Sequence, residues 1–465
     1  MENERHIILE TLIRIDRESE TAGCDRILKA VLSRYSYLEK NRRSFINRVV
    51  KGTVERRIEL DHIIDQFSSV KTKKQKPVIL MILRMSVYQL MYMDHVPESA
   101  VVNEAVKLAG KKGFSGLKGF VNAVLRKTAA SRADIKYPDR DEDISGYLRV
   151  KYSCPEYVLK LFMDQYGAQI TEEILSQALN ERPLYARCNI SKISVPGLVK
   201  LFSEDGVNAE VLKSPDNAFR LSDFDQIDKT KAFLQGFFTI QDTGSMLVTQ
   251  LAGIRENDTV MDVCAAPGGK TLHAADLLRG SGRVYSRDVS FEKTELIREN
   301  VSRCGFENVT VEIQDALAPT PEMYEKCDVV IADLPCSGLG VLGRKADIKY
   351  ALSEEKVSSL ITLQRDILNV VYRYVKKGGI LLFSTCTLNR AENEENAAYI
   401  IKNLPFEPMP FDDVPDNCIL CDTSDRRHMV KLIPGCVRSE DGSIRAGDLS
   451  YSSDGFFISR FIRKD

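Results

Sequence analysis

Two cysteines follow predicted strands about fifty residues apart, and an aspartate accompanies one of them. Asp333-Leu334-Pro335-Cys336-Ser337 comes after the apolar run Val329 to Ala332, and Ser384-Thr385-Cys386-Thr387 comes after Ile380 to Phe383. Short apolar runs of this kind are typical of buried parallel strands, whose carboxyl ends meet where ligands bind. A lone free cysteine is most often an ordinary buried residue. Two thiols and a carboxylate at one sheet edge instead favour a reaction that makes and later breaks a bond to carbon.

A glycine-containing turn after the first predicted strand of the same region is suited to binding a cofactor. Two glycines after a proline give a tight turn whose backbone amides face a ligand at the start of a helix. A phosphate-binding P-loop would need glycine where Cys264 stands, and the Gly-x-Gly-x-x-Gly dinucleotide fingerprint is absent. S-adenosylmethionine therefore fits best. The turn residues are Cys264, Ala265, Ala266, Pro267, Gly268, Gly269 and Lys270.

Two more carboxylates follow the next strands. Asp288 ends the second predicted strand, where a carboxylate can accept both ribose hydroxyls of a nucleoside. Asp315 comes after the third predicted strand and is expected to reach the adenine amino group.

Strand, turn and helix patterns alternate from Gly236 onward and predict a doubly wound parallel sheet. A last strand is predicted at Gly455 to Phe461, where an antiparallel direction is plausible. The other predicted strands are Val260–Val263, Arg283–Arg287, Val309–Ile313, Val329–Ala332 and Gly379–Phe383. The predicted helices between them are Thr271–Leu278, Glu292–Cys304 and Glu354–Val375.

The front of the chain has a different pattern. Residues 1 to about 130 show helical apolar spacing, and the apolar stretch Val78 to Leu90 predicts a central buried helix. Residues 1–136 contain 26 Lys+Arg and 16 Asp+Glu, a net charge of +10, which leaves −11 for the remainder. A basic helical domain with loops such as Lys71 to Pro77 fits an anionic polymer as partner.

The middle of the chain predicts a linker and a small module. Tyr137 to Asp143 is acidic and lacks apolar periodicity, so a linker is expected there. Helical spacing at Pro155 to Tyr166 and Val195 to Phe202, with a strand at Tyr185 to Asn189, predicts an α+β module. The predicted domains are 1–136, 147–235 and 236–465.

Composition bounds the class of protein. A chain of 465 residues suggests two or three domains. Eleven scattered cysteines favour reduced thiols, and no signal peptide or membrane-spanning run is evident. We therefore expect a cytoplasmic protein without membrane contact, and a monomer. Cys418 and Cys421 with His428 and Cys436 suggest a zinc site, but a single cysteine pair favours incidental thiols.

The helical front resembles the NusB family of RNA-binding domains, and this resemblance implies an RNA-binding or docking role. The motifs that carry it are Arg42–Ile46, Leu83–Leu90, Val102–Ala109 and Phe120–Arg126.

The rest of the chain resembles the RsmB (Fmu/Sun) family of 16S rRNA cytosine-C5 methyltransferases. The resemblance implies a class I, Rossmann-like domain that transfers a methyl group from S-adenosylmethionine to a cytosine of 16S rRNA, cytosine 967 in the family. The resemblance implies that Cys386 is the nucleophile and that Cys336 assists product release. It implies that Asp333 contacts nitrogen-3 of the base and also the cofactor. The motifs that carry it are Asp262–His273, Asp333–Gly340, Ser384–Leu388, Glu392–Glu395, Gln241–Asp242 and Asp454–Phe457.

Several alternatives stay open at this point. DNA cytosine methyltransferases attack with the cysteine of a Pro-Cys motif, here Cys336, so spacing alone leaves the order of the thiols undecided. Another RNA such as tRNA, an inactive RNA-binding adaptor and a P-loop ATPase are the competing functions. We also expect Arg344, Lys345 and Lys349 to hold phosphates that flank the target base.

Overall fold

The computed structural model describes residues 3–345, 347–415, 418–420, 427–439, 444–447 and 453–465. The chain divides into two compact units. The first unit comprises Met1–Leu179 and Leu342–Leu352, and the second comprises Asn180–Val341 and Ser353–Asp465. The predicted boundaries of three domains stay predictions. No described helix is long and apolar enough to cross a membrane.

The first unit is helical, which confirms the prediction for the front of the chain. Its helices are α1 (Glu4–Ala22), α2 (Cys24–Arg34), α3 (Lys40–Glu55), α4 (Arg57–Phe67), α5 (Pro77–Tyr92), α6 (Glu98–Lys111), α7 (Lys118–Ala130), α8 (Ile144–Lys151) and α9 (Glu156–Ala178). The central helix is α5, whose residues are mostly buried. Pro77 starts it, where the missing N–H would have no intrahelical partner anyway. The apolar run that follows places side chains toward neighbours on several sides of the helix.

The start of the predicted linker is packed on this unit. The Tyr137 hydroxyl donates to the buried Glu59 carboxylate at 2.7 Å, and its ring stacks on His62 with centroids 6.1 Å apart. Residue 137 is therefore anchored by an aromatic and a charged partner, a tertiary contact that the acidic composition of the segment did not reveal.

The segment Leu342–Leu352 also belongs to the first unit. The Tyr350 hydroxyl donates to the Glu55 carbonyl at 2.9 Å, and the Arg57 guanidinium lies 4.1 Å from the centre of its ring. Lys349 is buried, with its ammonium 3.4 Å from the Tyr152 carbonyl, and burial lowers its pKa to about 8. The prediction that Lys349 holds an RNA phosphate is therefore wrong, because its side chain points into protein. Lys345 is exposed, and its phosphate contact stays a prediction.

The second unit begins with a four-stranded antiparallel sheet in the order β2-β3-β1-β4. Its elements are β1 (Leu184–Cys188), α10 (Val195–Glu204), β2 (Asn208–Val211), β3 (Ala218–Ser222), α11 (Lys231–Leu234) and β4 (Phe238–Ile240). Phe202 of α10 packs on Phe219 and Phe238 of the sheet, with ring centroids 5.6 and 5.0 Å apart. Each such ring buries a large apolar area, so this trio forms the centre of the small core.

A buried ion pair ties this small sheet to Asp276, which lies in the helix Gly269–Leu277 of the same unit. Arg187 of β1 donates to Asp276 at 2.8 Å, and both side chains are only 2% exposed. Asp276 also accepts from the backbone of Ile190 and Ser191. A buried charge is tolerated when it is paired and hydrogen-bonded in this way.

The remaining elements form a nine-stranded mixed sheet with helices. They are α12 (Thr243–Gln250), β5 (Thr259–Asp262), α13 (Gly269–Leu277), β6 (Arg283–Asp288), α14 (Phe291–Cys304), β7 (Val309–Ile313), β8 (Cys327–Asp333), α15 (Ile348–Ala351, in the first unit), α16 (Glu354–Val371), β9 (Val375–Thr385), α17 (Glu394–Asn403), β10 (Phe406–Pro408), β11 (Ile419–Leu420), β12 (Met429–Leu432) and β15 (Phe456–Arg463). A separate hairpin contains β13 (Cys436–Arg438) and β14 (Ile444–Ala446). The order across the sheet is β11-β12-β15-β9-β8-β5-β6-β7, with β10 beside β15.

The five predicted parallel strands are confirmed, and β15 pairs antiparallel with β9 as was plausible from the sequence. The predicted boundary between α16 and β9 is wrong: α16 ends at Val371 rather than Val375, and β9 begins at Val375 rather than Gly379. Val375 pairs with Cys327 of β8. Pairing with a neighbouring strand, and not local spacing, sets the start of β9.

Candidate active site

The structure brings the two cysteines into contact. β8 and β9 are parallel neighbours in which Asp333 pairs with Ser384, so both cysteine loops leave the sheet at the same edge. Cys336 Sγ and Cys386 Sγ lie 3.2 Å apart, and both are free, partly exposed thiols. The thiol contact, the burial of the site and the nearby Glu392 raise the pKa of Cys336 well above its usual value.

Asp333 is held from two sides at the same edge. One carboxylate oxygen accepts from the Lys270 ammonium at 2.6 Å, and the other accepts from the Ser384 hydroxyl at 2.9 Å. Burial opposes the charge on Lys270, but Asp333 and Asp262 outweigh burial and raise its pKa. Lys270 also donates to Ser245 Oγ at 3.0 Å. Lys270 was predicted to bind the cofactor. Its ammonium pairs with the carboxylate of Asp333, three residues before Cys336.

A buried carboxylate, Glu392, connects the two cysteine loops. It is fully buried, and its oxygens accept from the Ser337 N–H at 2.8 Å and from the Ser337 hydroxyl at 2.6 Å. They also accept from the side chains of Gln364 and Asn389, each at 3.1 Å. The Ser337 hydroxyl lies 2.7 Å from the Thr387 hydroxyl. One carboxylate therefore reaches the residue that follows each cysteine, directly at Ser337 and through a hydroxyl at Thr387.

Cys386 is fixed by its backbone and by its neighbours. Its carbonyl accepts from the Gly340 N–H at 3.0 Å. The buried Asn393 amide donates to the Thr387 carbonyl at 2.9 Å and accepts from the Thr385 hydroxyl. Glu392 and Asn393 lie in a family motif, but the sequence indicated a role for neither. The only feature of the sequence that could have indicated a role is that these two polar residues follow shortly after the strand that leads to Cys386.

The predicted cofactor turn lies at the neighbouring strand ends. Gly268 has φ of +104°, a left-handed conformation that glycine adopts without strain, and it precedes the first turn of α13. The Ala266 N–H donates to Asp288 at 3.2 Å. Burial raises the pKa of the Cys264 thiol in the turn. The structure therefore groups the turn with Asp288, as the sequence predicted.

Two further aspartates, Asp315 and Asp262, lie at or near the carboxyl ends of the parallel strands. The Gln314 N–H donates to the Asp288 carbonyl at 3.1 Å, which places the exposed Asp315 in the adjacent loop. Asp262 is fully buried, accepts from Thr271 at 2.8 Å, and has a pKa raised to about 6 by burial. Asp262 was expected only as part of a family motif. Nothing in the sequence indicated that its side chain is buried.

Two of the cysteines considered for zinc lie at other elements of the second unit. Cys418 and Cys436 are buried, next to β11 and in β13, whereas Cys421 lies outside the residues that the structure describes. Within the described ranges no group of three potential metal ligands occurs.

Comparisons with known proteins show which family this chain belongs to. The model of "16S rRNA methyltransferase RsmB/F" matches residues 249–462, and that of the "NusB family" matches residues 2–130. The chain is 33% identical over 462 residues to the probable ribosomal RNA small subunit methyltransferase B of Bacillus subtilis, covering 99% of this chain and 98% of the relative. The probable enzyme of the same name from Synechocystis is 32% identical, covering 83% and 86% of the two chains. The chain belongs to the RsmB/F family of rRNA methyltransferases.

Solved structures agree with the fold of an RsmB/F enzyme. The crystal structure of PH0851 has a TM-score of 0.77 at 21% identity and covers 99% of both chains, which shows a shared fold. A methyltransferase homologue from Pyrococcus horikoshii has a TM-score of 0.56 at 25% identity, covering 68% of this chain and 97% of its own. The multidomain prediction, a NusB-like helical front and a Rossmann-like methyltransferase domain, is confirmed.

The RsmB/F enzyme acts on rRNA of the small ribosomal subunit and uses S-adenosylmethionine. The residues at the cofactor edge fit this group. Asp288 is buried, and its Oδ1 accepts no hydrogen bond from the described residues beyond a 3.4 Å ion pair with Lys293. A buried carboxylate oxygen of this kind requires a donor, and the hydroxyls of a ribose would supply one.

Proposed function

We propose that this RsmB/F enzyme transfers the methyl group to carbon-5 of a cytosine in 16S rRNA, at the position that corresponds to the family's cytosine 967. The reaction proceeds through a covalent bond between Cys386 Sγ and cytosine carbon-6. The observation that carries the proposal is the 3.2 Å contact between Cys336 and Cys386 beside the Lys270-bound Asp333. Two thiols at a shared strand edge are suited to forming a bond to the base and then breaking it.

The first half of the reaction follows from the electronic structure of cytosine. Carbon-5 is a poor nucleophile until a thiolate adds to carbon-6 and gives the ring enamine character. Cys386 supplies the thiolate, and Asp333 holds nitrogen-3 of the base. Residues 264–270, Asp288 and Asp315 would hold S-adenosylmethionine, which would supply the electrophilic methyl group and leave as the neutral thioether. The base must leave its stack to reach the thiols, as in other enzymes that modify bases.

The second half restores the aromatic ring. The carbon-5 proton passes to solvent water, the carbon-5–hydrogen electron pair re-forms the 5,6 double bond, and the carbon-6–sulfur bond breaks with its electron pair returning to Cys386. Cys336 touches the sulfur from which the base departs, so we assign it to product release. The high pKa of Cys336 supports this assignment, because a thiol that stays protonated does not compete with Cys386 as the attacking thiolate.

The test is a pair of substitutions on the full chain with labelled 16S rRNA and S-adenosylmethionine. Cys386→Ala should form no covalent adduct and lose methyl transfer. Cys336→Ala should attack and methylate, then stall as a slow-migrating protein–RNA band on a denaturing gel. The double variant is the control and should give no band. A band from Cys386→Ala and none from Cys336→Ala would move the nucleophile to Cys336.

The modified position needs a separate experiment. Bisulfite mapping of 16S rRNA from cells with and without this gene should show one 5-methylcytosine that depends on the gene. Loss of 5-methylcytosine from tRNA, with 16S rRNA unchanged, would contradict the proposed substrate.

A further inference from the structure

The two thiols sit in an electrically asymmetric environment. On the Cys336 side, Glu392 accepts from the backbone N–H of Ser337, the very next residue. Toward Cys386 the same carboxylate reaches Thr387 indirectly, through the Ser337 hydroxyl. An anion that is held more directly at one thiol than at the other favours ionisation of the second.

The hydrogen bonds of Glu392 are those of a carboxylate that acts as an acceptor. Three of its four partners are N–H groups, from Ser337, Gln364 and Asn389, and these can only donate. The fourth is the Ser337 hydroxyl at 2.6 Å, a distance typical of O–H donating to a carboxylate. Both oxygens therefore face donors, as an ionised carboxylate requires.

The same contacts fix where the thiols are. Ser337 has one hydroxyl hydrogen, and it goes to Glu392, so the Thr387 hydroxyl donates to Ser337 across 2.7 Å. Gln364, which contacts Glu392, also donates to the Pro335 carbonyl at 2.9 Å. Residues on both sides of Cys336, and the residue after Cys386, are thereby joined through one buried side chain.

We propose that Glu392 is a positioning residue that holds the two cysteine loops together and, through its charge, selects Cys386 rather than Cys336 as the attacking thiolate. This inference rests on the proposed function, since it names what decides between the two cysteines. Lys270 and Asp333, which lie at the same edge of the sheet, pair with each other at 2.6 Å. The charge that we assign to distinguishing the two thiols is therefore that of Glu392.

The experiment measures the ionisation of each thiol in the free protein. Wild-type enzyme is treated with limiting iodoacetamide across a pH series, and the alkylation of Cys336 and Cys386 is quantified by peptide mass spectrometry. Wild type should alkylate Cys386 preferentially, with the lower pH midpoint at Cys386. The reverse order of midpoints in the wild type would by itself overturn the proposal.

Substitution of the carboxylate then tests the cause. Glu392→Gln keeps the shape but removes the charge, so the ratio of Cys386 to Cys336 alkylation should fall by roughly tenfold, the effect of about one pKa unit. The matched control is Glu395→Gln, the same change at an exposed residue three positions on, which should leave the ratio unchanged. A folded Glu392→Gln protein, shown by retained S-adenosylmethionine binding, with the wild-type ratio would refute the role.

A conservative variant covers the case in which Glu392→Gln does not fold. Glu392→Asp retains the charge and shortens the side chain, so it should keep the preference for Cys386 while methyl transfer slows because the loops loosen. Loss of the preference in folded Glu392→Asp would count against the charge. The alkylation assay uses no RNA, so its failure is distinguishable from failure of the adduct experiment, which tests the proposed function.

Discussion

Gly340 and Gly455 meet backbone to backbone beside Cys386. The Gly455 N–H donates to the Gly340 carbonyl at 2.8 Å, and the Gly340 N–H donates to the Cys386 carbonyl at 3.0 Å. A Cβ at residue 340 would lie 2.0 Å from the Gly455 carbonyl oxygen and 2.8 Å from that of Cys386. Only glycine at residue 340 allows the backbones to approach this closely. The hydrogen bond between the Cys336 loop and the Cys386 carbonyl therefore requires glycine there.

Gly340→Ala should therefore disturb the thiol contact. We expect a destabilisation of about 1–3 kcal/mol, the usual cost of overpacking, and a loss of methyl transfer larger than the loss of S-adenosylmethionine affinity. Urea unfolding and single-turnover methylation measure the two effects. Gly119→Ala is the control, because a Cβ at 119 meets no atom within 4 Å. Wild-type methylation by Gly340→Ala would show that the close approach is dispensable.

Asp288→Ala should weaken binding of S-adenosylmethionine. The buried carboxylate has an oxygen available for a ribose hydroxyl, and hydrogen bonds to charged groups contribute about 1.5–3 kcal/mol. Isothermal titration calorimetry on the full chain measures the change. Glu307→Ala, at an exposed carboxylate before β7, is the control and should bind as wild type. Unchanged affinity in Asp288→Ala would remove residue 288 from the proposed cofactor site.

The buried Asp262 should make stability depend on pH in an unusual direction. Its pKa is raised from 3.8 to about 6, so the folded state retains a proton that the unfolded state loses near pH 4. Between these values the unfolded state binds fewer protons, and the contribution of Asp262 to stability falls as pH rises. Asp262→Asn cannot ionise and should escape this loss.

The measurement is the difference in unfolding free energy between Asp262→Asn and wild type at several pH values. Between pH 4 and pH 7 this difference should change by about 2–3 kcal/mol in the direction that stabilises Asp262→Asn relative to wild type. That change corresponds to roughly two pKa units. Asp228→Asn, at an exposed aspartate, should give a difference that is flat with pH. A flat profile for Asp262→Asn would mean that Asp262 ionises normally in the folded protein.

The basic helical front should supply affinity for rRNA rather than choice of base. Lys73, Lys74 and Lys76 are exposed before α5. Replacing all three by Gln should weaken binding and flatten its salt dependence, because fewer counterions are released. The modified cytosine should stay the same. Filter binding across a salt series and bisulfite sequencing measure the two outcomes.

The control for charge alone replaces three exposed lysines of the second unit, Lys326, Lys377 and Lys402. This variant should retain the wild-type salt slope. Equal effects of the two triple substitutions would assign the salt dependence to overall charge instead of the helical front, and a new modified position would give these lysines a part in base choice.

The sequence by itself determined the elements and their order. Local periodicity and turn residues depend on neighbours in the chain, so they located α5, the parallel strands β5 to β9 and the Gly268 turn. Because the carboxyl ends of parallel strands share one edge, the same patterns implied that Asp288, Asp333, Cys336 and Cys386 belong to one site. Family motifs then indicated the cofactor and the rRNA substrate.

Only the tertiary structure decided how those side chains are paired. The contact of Lys270 with Asp333 joins residues 63 positions apart, and that of Glu392 with Ser337 joins residues 55 apart. The burial of Lys349 likewise depends on Tyr152, which is 197 residues away. Such contacts arise from the packing of distant segments and leave no period or spacing in the sequence. For this reason the sequence indicated the candidate residues for the chemistry, whereas the fold revealed which side chains contact them.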